Sequence, residues 1–412
     1  MTDDRSTTDH SGIFGRPLEG LKVLDLSSVW AMPGAAMYLA DQGAEVIKIE
    51  PPAGDVGRWI LAAPAIKDRS RAFWMVNRNK KGMVLDLKRP EALEILHHLV
   101  KSADVIMHNF RPGVAERIGI DYPVLAALNE KLIYVAFTAW GTDGPKRDGR
   151  GYDLLLQARS GILARRRASD GQPQPAGLFA VDMASSMLVA YAITLALLQR
   201  ASTGKGQAID GSLLQTALSL QKTDLVRLIG HEEAPYDAGL VDIPVFETYE
   251  CQDGEYIQIV VITEDEWQAL ALALELDPVQ CDKAFSTHAS RVENASELRE
   301  ALQTKFRGRG ALDWEPILAH HDVPAQRVFT SNDVFEDPQL AANNALVSID
   351  QPGIGELQML GLPFNMGRAD GYAFTPAPEL GQHTKEVLRA HGYNDSTIDQ
   401  LCANGIAVDA SA

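Results

Sequence analysis

One acidic residue, Asp182, stands where a carboxylate could do covalent chemistry. It follows a loop containing Gly and Pro (residues 170–180) and directly precedes a long apolar segment that is typical of a helix. This is the position of a helix N-cap, and Asp is among the best capping residues, so position alone favours a structural role. Helix amides and the helix dipole would favour the ionised form. An ionised carboxylate facing a cleft could also attack an activated acyl group.

Two polar segments could bind phosphate groups. Residues 76–82 (VNRNKKG) put two Asn amides among three cations just before a predicted strand. Residues 109–113 (NFRPG) follow another predicted strand and open a helical segment. Helix N-terminal amides and guanidinium groups are common ligands of phosphate. Each segment could equally be an ordinary polar turn between a strand and a helix, and neither is specific alone.

Other familiar catalytic patterns do not occur in the sequence. There is no P-loop, and the turn after the first predicted strand reads SSVWAMPG (27–34) rather than GxGxxG, which disfavours a nicotinamide or flavin oxidoreductase. Ser185 and Ser186 lack the Gly-x-Ser-x-Gly context of a serine hydrolase. The His pairs at 97–98 and 320–321 have no carboxylate or Cys at ligand spacing, so no metal site is predicted.

The elements that must position these residues alternate between strands and helices through the first half of the chain. Strands are predicted at 21–27, 45–50, 83–87, 104–109 and 132–136, and helices at 33–42 and 90–102. This alternation is typical of a parallel sheet with helices on both faces, an α/β fold. Such sheets bind ligands at the carboxyl ends of their strands, so the turns after Ser27, Glu50 and Asn109 are the expected site.

The second half changes pattern and predicts a smaller α+β domain. A hairpin is predicted from 244–250 and 256–262, followed by helices at 264–275 and 296–307. The expected organisation is a disordered tail (1–16), a large α/β domain (17–224), a small α+β domain (225–335), and a linker with a C-terminal segment returning to the large domain (336–412). Within the last region, the Gly- and Pro-rich stretch 363–378 is predicted to be extended, and short helices are predicted at 385–390 and 396–404.

The charge balance argues against a nucleic-acid partner. The 412 residues contain 38 Lys and Arg against 55 Asp and Glu, a net charge of −17, which repels phosphate on average. Residues 58–89 nevertheless carry nine Lys or Arg against two Asp, whereas fourteen acids and no Lys or Arg lie between Arg227 and Lys283. These segments are either two ordinary solvated surfaces or a polyphosphate-binding segment and a separate acidic module.

The expected location is the cytoplasm, with no membrane partner. The N-terminal residues are polar and acidic, unlike a signal peptide. The longest apolar stretch, 183–198, is short and interrupted by polar residues, so we predict a buried helix rather than a membrane span. Three cysteines without a CxxC pair fit a reducing compartment.

Several segments, taken together and in order, resemble one family. The chain resembles the class III CoA-transferases, the CaiB/BaiF group typified by formyl-CoA transferase and carnitine CoA-transferase. The matching segments are 17–26, 43–51, 77–80, 85–88, 109–113, 151–153, 157–158, 203–207 and 380–384. The resemblance spans about residues 17–404 and implies a Rossmann-like large domain, a smaller domain joined to it by long linkers, and an interlocked homodimer.

The resemblance also implies a mechanism and a set of site residues. CoA would pass from an acyl-CoA thioester to a carboxylic acid through an aspartyl anhydride and an aspartyl-CoA thioester on Asp182, with no metal and no tightly bound cofactor. Coenzyme A or acyl-CoA enters as a substrate. The CoA contacts implied by the family are Val29, Trp30, Ala31, Val76, Asn77, Arg78, Asn79, Asn109, Phe110, Arg111, Arg117, Arg150 and Tyr152.

Some positions depart from the family's best-known members. Trp30 and Pro51 differ from the residues of formyl-CoA transferase, and its Gly-rich loop has no match near 260–263, so formyl-CoA and oxalate are poor substrate candidates. The related 2-methylacyl-CoA racemases carry Gly-His-Asp where this chain has Tyr152. A tyrosine is a poor base at neutral pH, which favours transfer over racemisation.

Three alternatives to intermolecular transfer stay open at this point. They are a racemase-like enzyme, an intramolecular CoA-transferase, and a CoA-binding protein that has lost the reaction. The sequence leaves the donor and acceptor acids open.

Overall fold

The computed structural model describes residues 16–166, 168, 170–223, 225–227, 229–230, 243–364 and 374–409. The predicted N-terminal tail lies almost wholly outside these residues, as does the middle of the predicted linker at 363–378. The chain divides into two compact units, one formed by Met1–Ile229 with Asn344–Ala412 and the other by Gly230–Asn343. The small domain predicted at 225–335 begins and ends a few residues earlier than the second unit.

The strands are β1 (Lys22–Asp25), β2 (Glu45–Glu50), β3 (Lys80–Leu85), β4 (Val105–His108), β5 (Ile133–Thr138), β6 (Gln207–Ser212), β7 (Thr248–Glu250), β8 (Tyr256–Ile259), β9 (Ala325–Arg327), β10 (Leu346–Gln351), β11 (Gly355–Leu360) and β12 (Ala407–Val408). The helices of the first half are α1 (Ala31–Asp41), α2 (Arg71–Asn77), α3 (Pro90–Val100), α4 (Val114–Ile118), α5 (Tyr122–Leu128), α6 (Asp153–Ser160), α7 (Ile162–Arg165), α8 (Ala180–Thr203) and α9 (Leu213–Ser219). Those of the second half are α10 (Glu264–Ala273), α11 (Pro278–Ala284), α12 (His288–Glu293), α13 (Ala295–Phe306), α14 (Ala311–His320), α15 (Ser331–Glu336), α16 (Pro338–Ala342), α17 (Thr384–Ala390) and α18 (Asp395–Ala403).

A seven-stranded sheet forms the centre of the large unit, in the order β12-β3-β2-β1-β4-β5-β6. Strands β1 to β6 run parallel, and β12 pairs antiparallel with β3 at one edge. Successive side chains of a strand point to opposite faces, so Val23 and Leu24 enter two separate apolar layers. Both faces are therefore buried, which confirms the predicted α/β class.

The strand order reverses direction between β1 and β4. The chain builds outward from β1 through β2 to β3, then returns to place β4, β5 and β6 on the other side. Doubly wound sheets bind ligands at this reversal, beyond the carboxyl ends of the strands.

Helix α8 packs closely against α1 but is not wholly buried. Gly34 of α1 allows this approach, because an added Cβ would overlap the Oγ of Ser186, which donates to the carbonyl of Ala31 (2.8 Å). The two serines that interrupt the apolar stretch, Ser185 and Ser186, thus lie on the buried face.

The opposite face of α8 carries large apolar side chains that are exposed in the single chain. They are Met183, Met187, Leu188, Tyr191, Leu195 and Leu198. The prediction of a buried helix is therefore wrong for half of its surface, because apolar content alone does not show which face meets the core. By length and composition α8 would also pass as a membrane span, with 39% of its most apolar window buried within the chain.

The C-terminal segment completes the large unit. Strands β10 and β11 form an antiparallel hairpin. Farther on, His383 accepts the backbone N–H of Gly82 at Nδ1 (3.0 Å), and Thr384 Oγ1 accepts that of Val84 (3.1 Å). Residues from the end of the chain therefore cover β3, which would otherwise be an open edge.

The small unit contains a three-stranded antiparallel sheet, β7-β8-β9, with helices α10 to α16. Its own apolar core includes Tyr249, Trp267, Phe306 and Trp314. Helix α10 begins with a capping box in which Thr263 and Glu266 bond to each other's backbone amides. The predicted hairpin is present, but its first strand is short because Pro244–Phe246 forms a 3-10 turn.

Candidate active site

A cleft of about 270 Å³ opens at the carboxyl ends of the central strands of the large unit. Its walls include residues that follow β1, β4 and β6 and the end of β5, where the strand pattern predicts a ligand site. It is lined by Ser28, Val29, Ala31, Val56, Asn109, Phe110, Arg111, Pro112, Phe137, Thr138, Ala139, Arg147, Gly149, Arg150, Gly151, Tyr152, Asp182 and Leu213.

Four helices begin at this cleft. Ala31 is the first residue of α1, Tyr152 is the N-cap of α6, Asp182 lies in the first turn of α8, and Leu213 is the first residue of α9. The positive ends of four helix dipoles therefore lie at the cleft. Such a surrounding favours anionic groups and developing oxyanions.

Asp182 is not the N-cap of α8, so that prediction is wrong. The helix begins at Ala180, Phe179 is its N-cap, and no side chain caps it. Ala180 and Val181 continue the helix because neither residue breaks it, and this leaves Asp182 in the first turn with its side chain free for another role. Its backbone N–H donates to Asp153 Oδ2 (2.9 Å).

Asp182 is 7% exposed and lies beside a second acid, Asp153. Burial, with a smaller contribution from the negative charge of Asp153, raises the pKa of Asp182 to about 7. The expectation that helix amides would favour the ionised form is therefore outweighed by desolvation. At neutral pH this side chain divides between carboxylic acid and a poorly solvated carboxylate.

Asp153 opens α6 and is itself held by several donors. Burial raises the pKa of its carboxyl, whereas hydrogen bonds from the Asp182 amide and the Gln157 side chain act in the opposite direction. Gln157 also donates to the carbonyl of Leu178 (3.0 Å), in the segment leading to α8. Asp153 and Gln157 thus join the start of α6 to the start of α8 and fix where Asp182 enters the cleft.

Three guanidinium groups line the cleft, at Arg111, Arg147 and Arg150. Arg147 lies 3.5 Å from its neighbour Asp148. Among the described residues, Arg111 and Arg150 form no ion pair with a carboxylate. The cleft therefore offers positive charge that a phosphate or a carboxylate of a ligand can neutralise.

Phe110 on the cleft wall is supported from below by His108. The two rings stack with centroids 4.9 Å apart, and His108 Nδ1 accepts the backbone N–H of Phe110 (3.2 Å). The other ring nitrogen therefore carries the proton and donates to Tyr134 Oη (2.6 Å). Burial lowers the pKa of His108 to about 4, so this ring is a neutral support rather than an acid or base at neutral pH.

The structure brings together eight of the residues predicted from the sequence. They are Val29, Ala31, Asn109, Phe110, Arg111, Arg150, Tyr152 and Asp182. Trp30 is buried next to the cleft instead, with its ring edge-to-face against Phe179 at 4.5 Å. Arg117 is exposed in α4 and does not line the cleft.

The segment at 76–79 also lies outside the cleft, and its polar groups are used inside the protein. Arg78 forms a buried ion pair with Asp41 (2.7 Å), and Asn79 donates to the same carboxylate (2.7 Å). Asn77 accepts from Lys80 Nζ (2.9 Å), and Val76 is buried. A buried carboxylate facing these donors, rather than a bound phosphate, satisfies them.

Most of the basic segment 58–89 is neutralised in the same way. Its ion pairs are Arg58–Glu50, Arg69–Glu379, Arg78–Asp41, Lys80–Asp25, Lys81–Glu45, Lys81–Glu386 and Arg89–Glu91. The cations that line the cleft come from other parts of the chain. The local excess of positive charge therefore indicates internal pairing rather than a polyphosphate surface.

Sequence reasoning missed several residues that the structure places at the site. Thr138 ends β5, so the rule that located the other turns could have found it. Arg147 lies in a short cationic run with Lys146 and Arg150, which was a usable signal. Asp153 belongs to the matching segment 151–153, but the sequence analysis assigned it no role. Within the described ranges, no three His, Cys, Asp or Glu side chains are grouped so that they could hold a metal ion.

Comparison with known proteins identifies relatives along nearly the whole chain. The family model described as "CoA-transferase family III" matches residues 18–384. A succinyl-CoA:glutarate CoA-transferase of Mus musculus is 32% identical, covering 95% of this chain and 90% of the mouse protein. A (R)-2-hydroxy-4-methylpentanoate CoA-transferase of Clostridioides difficile is 31% identical, covering 93% and 98%. A crystal structure of a CAIB/BAIF family protein from Brucella suis has a TM-score of 0.80 at 30% identity, covering 92% of this chain and all of that one.

Proposed function

The chain belongs to CoA-transferase family III and is a CoA-transferase, and we propose that Asp182 carries the acyl group during transfer. The observation that supports this role most directly is the burial of Asp182 in the lining of a cationic cleft. A carboxylate deprived of water is a stronger nucleophile than a solvated one. Its pKa of about 7 leaves a substantial ionised fraction at neutral pH.

The proposed reaction balances without an external proton or energy source. The Asp182 carboxylate attacks the thioester carbonyl, the C–S bond breaks, and an aspartyl anhydride and CoA thiolate result. The thiolate attacks the aspartyl carbonyl and releases the donor acid, which leaves CoA as an aspartyl thioester. The acceptor carboxylate then attacks this thioester, the C–S bond breaks, and a second anhydride joins the acceptor to Asp182. The thiolate attacks the acceptor carbonyl of this anhydride, which forms the new acyl-CoA and releases the Asp182 carboxylate.

The protein's tasks in this scheme are to hold CoA, exclude water and stabilise oxyanions. We assign the binding of anionic CoA groups to Arg111 and Arg150, which form no internal ion pair within the described residues. The helix starts around the cleft, especially that of α1 at Ala31, supply amides for the tetrahedral intermediates. No metal is required by any step.

Succinyl-CoA is the donor to test first. The mouse relative is named for transfer between succinyl-CoA and glutarate, and relatives from other organisms are named for D-citramalate and mesaconate. The acceptor is a carboxylic acid, and a panel of mono- and dicarboxylic acids with succinyl-CoA, read by mass spectrometry of the CoA esters, would identify it.

We further propose that the enzyme is an interlocked homodimer in the cytoplasm. The exposed apolar face of α8 supports this, since Leu198 is 70% and Tyr191 63% exposed in one chain and would be covered by a second copy. Sedimentation at micromolar protein should give twice the chain mass, and a monomer mass would reject the dimer. Fractionation of the source cells would test the location.

The decisive experiment for covalent transfer is replacement of Asp182. Asp182→Ala should lower the transfer rate by roughly a thousandfold or more, the usual cost of removing a nucleophile. Hydroxylamine added during turnover should inactivate the wild-type enzyme and modify Asp182 alone, as mass spectrometry would show. The same substitution at Asp143, an exposed loop residue outside the cleft, serves as the matched control. A variant at 182 that keeps more than about a thousandth of the rate would contradict a covalent role.

A further inference from the structure

The turn after β1 holds a strained residue on the wall of the cleft. Val29 has φ of +72°, in the left-handed region that a β-branched residue rarely adopts. Both Ser28 and Val29 line the cleft. A conformation of this kind persists only when the surrounding structure imposes it.

A buried ion pair between Lys48 and Asp55 holds one side of this turn. Asp55 Oδ1 accepts the backbone N–H of Val29 (3.0 Å), and Asp55 Oδ2 accepts from Lys48 Nζ (2.8 Å). Lys48 Nζ also donates to the carbonyl of Ser27 (3.0 Å). The pair therefore holds the backbone on both sides of Ser28, and its side chains are at most 1% exposed.

Asn109 holds the turn from the other side of the strand reversal. Its Oδ1 accepts the N–H of Ser28 (3.0 Å), and its Nδ2 donates to the carbonyl of Ser28 (2.8 Å). The N–H of Ser27 is taken by Asp25 Oδ1 (3.0 Å). All three backbone N–H groups of residues 27–29 are thus bound by side chains rather than by neighbouring strands.

Gly57 brings this arrangement into close contact with Val29. Its N–H donates to Asp55 Oδ1 (2.8 Å). A Cβ at this position would lie 3.2 Å from the carbonyl oxygen of Val29 and 3.3 Å from its Cα. Because these are backbone atoms of the turn, they could give way only if the turn itself moved.

We infer that Lys48, Asp55 and Asn109 are positioning residues for acyl-CoA, and we call them the turn clamp. The clamp keeps Val29 left-handed so that the wall formed by residues 28–31 is preset for the substrate, an inference that rests on the proposed function. Lys48 and Asp55 act only through the turn, since neither lines the cleft. Binding to a preset wall avoids the cost of ordering it at each encounter.

The test is a double-mutant cycle between the clamp and the strained residue. Asp55→Ala should raise KM for the donor acyl-CoA at least tenfold while kcat changes less than fivefold. Val29→Gly in the same chain should recover at least threefold of that loss, because Gly adopts a φ of +72° without strain and needs no clamp. If Asp55 merely stabilised the fold, the added glycine would deepen the defect instead.

A second variant keeps the test valid if Asp55→Ala leaves Lys48 unpaired and the protein fails to fold. Gly57→Ala changes no charge but pushes on the backbone of Val29, and it should raise KM severalfold and respond to Val29→Gly in the same direction. The control is Glu45→Gln. Glu45 lies in the same strand as Lys48 but pairs with Lys81 at a partly exposed position, so this variant should keep kcat/KM within twofold of wild type. The inference is overturned if Gly57→Ala keeps the wild-type KM, or if Val29→Gly raises KM further in both Asp55→Ala and Gly57→Ala.

Calorimetric titration with CoA separates this inference from the proposed function. Wild-type protein that binds CoA but transfers none would reject the proposed function, and the clamp would still predict weaker CoA binding by Gly57→Ala. If the wild-type enzyme is active and Gly57→Ala binds CoA as tightly as wild type, the role of the clamp is rejected and the proposed function stands.

Discussion

Replacing Asp182 with Asn should make the protein more stable, and increasingly so as the pH rises. The buried carboxyl of Asp182 must lose its proton in an environment that solvates the resulting charge poorly. In the unfolded chain the same group ionises freely in water. An Asn side chain has a similar shape and never ionises, so it removes this penalty.

The sign and the size follow from the two pKa values. Burial, with a further contribution from Asp153, raises the folded pKa of Asp182 from 3.8 to about 7. Between these values the folded protein keeps a proton that the unfolded chain has released, so stability falls as pH rises through this window. At about 1.4 kcal/mol per unit, the penalty is about 1.5 kcal/mol at pH 5 and about 4 kcal/mol at pH 8.

Urea unfolding at pH 5 and pH 8 measures this difference directly. The advantage of Asp182→Asn over wild type in free energy of unfolding should grow by about 2.5 kcal/mol between the two conditions. Hydrogen exchange of the α8 amides gives a local reading of the same quantity. Any fixed cost of placing an amide at position 182 cancels, because only the change with pH is compared.

The exposed control Asp143→Asn should show a difference from wild type that does not vary with pH. A gap between Asp182→Asn and wild type that stays constant from pH 5 to pH 8 would refute the reasoning, because the carboxyl would then ionise in the folded protein as easily as in water. A gap that narrows with rising pH would show that the site stabilises the charge.

Three further results are expected. First, kcat/KM for acyl-CoA should rise with pH to a plateau above about pH 7, the pKa of Asp182. Asp153→Asn should move the inflection to lower pH, since it removes a like charge. An inflection at the wild-type pH would show that Asp153 does not raise the pKa of Asp182. Second, Arg111→Gln should raise KM for acyl-CoA roughly tenfold at low salt and less at high salt, as for a lost charge-assisted contact, and salt-independent kinetics would contradict this role. Third, Gly34→Ala should destabilise the protein by about 2 kcal/mol by forcing α1 away from α8. Ser186→Gly in the same chain should restore part of the lost thermal stability. An unchanged Tm in Gly34→Ala would show that the two helices are not in close contact.

The parallel sheet could be predicted because its signal is local. Strand β2 has the predicted bounds, 45–50, since its β-branched residues are typical of a strand and the segment lies between Gly43 and Pro51. Once consecutive parallel strands are predicted, their carboxyl ends meet at one edge of the sheet. The location of the cleft therefore followed from the strand pattern without any knowledge of the ligand.

The roles of the buried charges could not be predicted because their partners are distant in sequence. Arg78 meets Asp41 at a separation of 37 residues, and Lys80 meets Asp25 at 55. No helical or strand period connects such positions, so the cations resemble a solvated or phosphate-binding surface. Only the fold shows that Arg78, just before β3, meets Asp41 at the end of α1, and that Lys80 in β3 meets Asp25 in β1.

The position of Asp182 within α8 was missed for a different reason. The residues before it, Ala180 and Val181, are compatible with both helix and loop, and nothing local decides between the two. A shift of three residues, from a predicted N-cap at 182 to the observed N-cap at Phe179, changes the carboxyl from a capping group bonded to helix amides into one that is buried and hard to ionise. The start of a helix, which is the least certain part of a prediction, here determines the chemistry.

Because β3 is covered by residues near 383 and 408, its edge stays open until the end of the chain has been synthesised. Ribosomes release the chain from its N-terminus, so β3 emerges more than three hundred residues before its antiparallel neighbour β12. The whole of Gly230–Asn343 is synthesised in the interval and has its own apolar core. During translation the inserted unit can therefore fold while β3 still has an unpaired edge, and until β12 is synthesised that edge is open to pairing with another nascent chain.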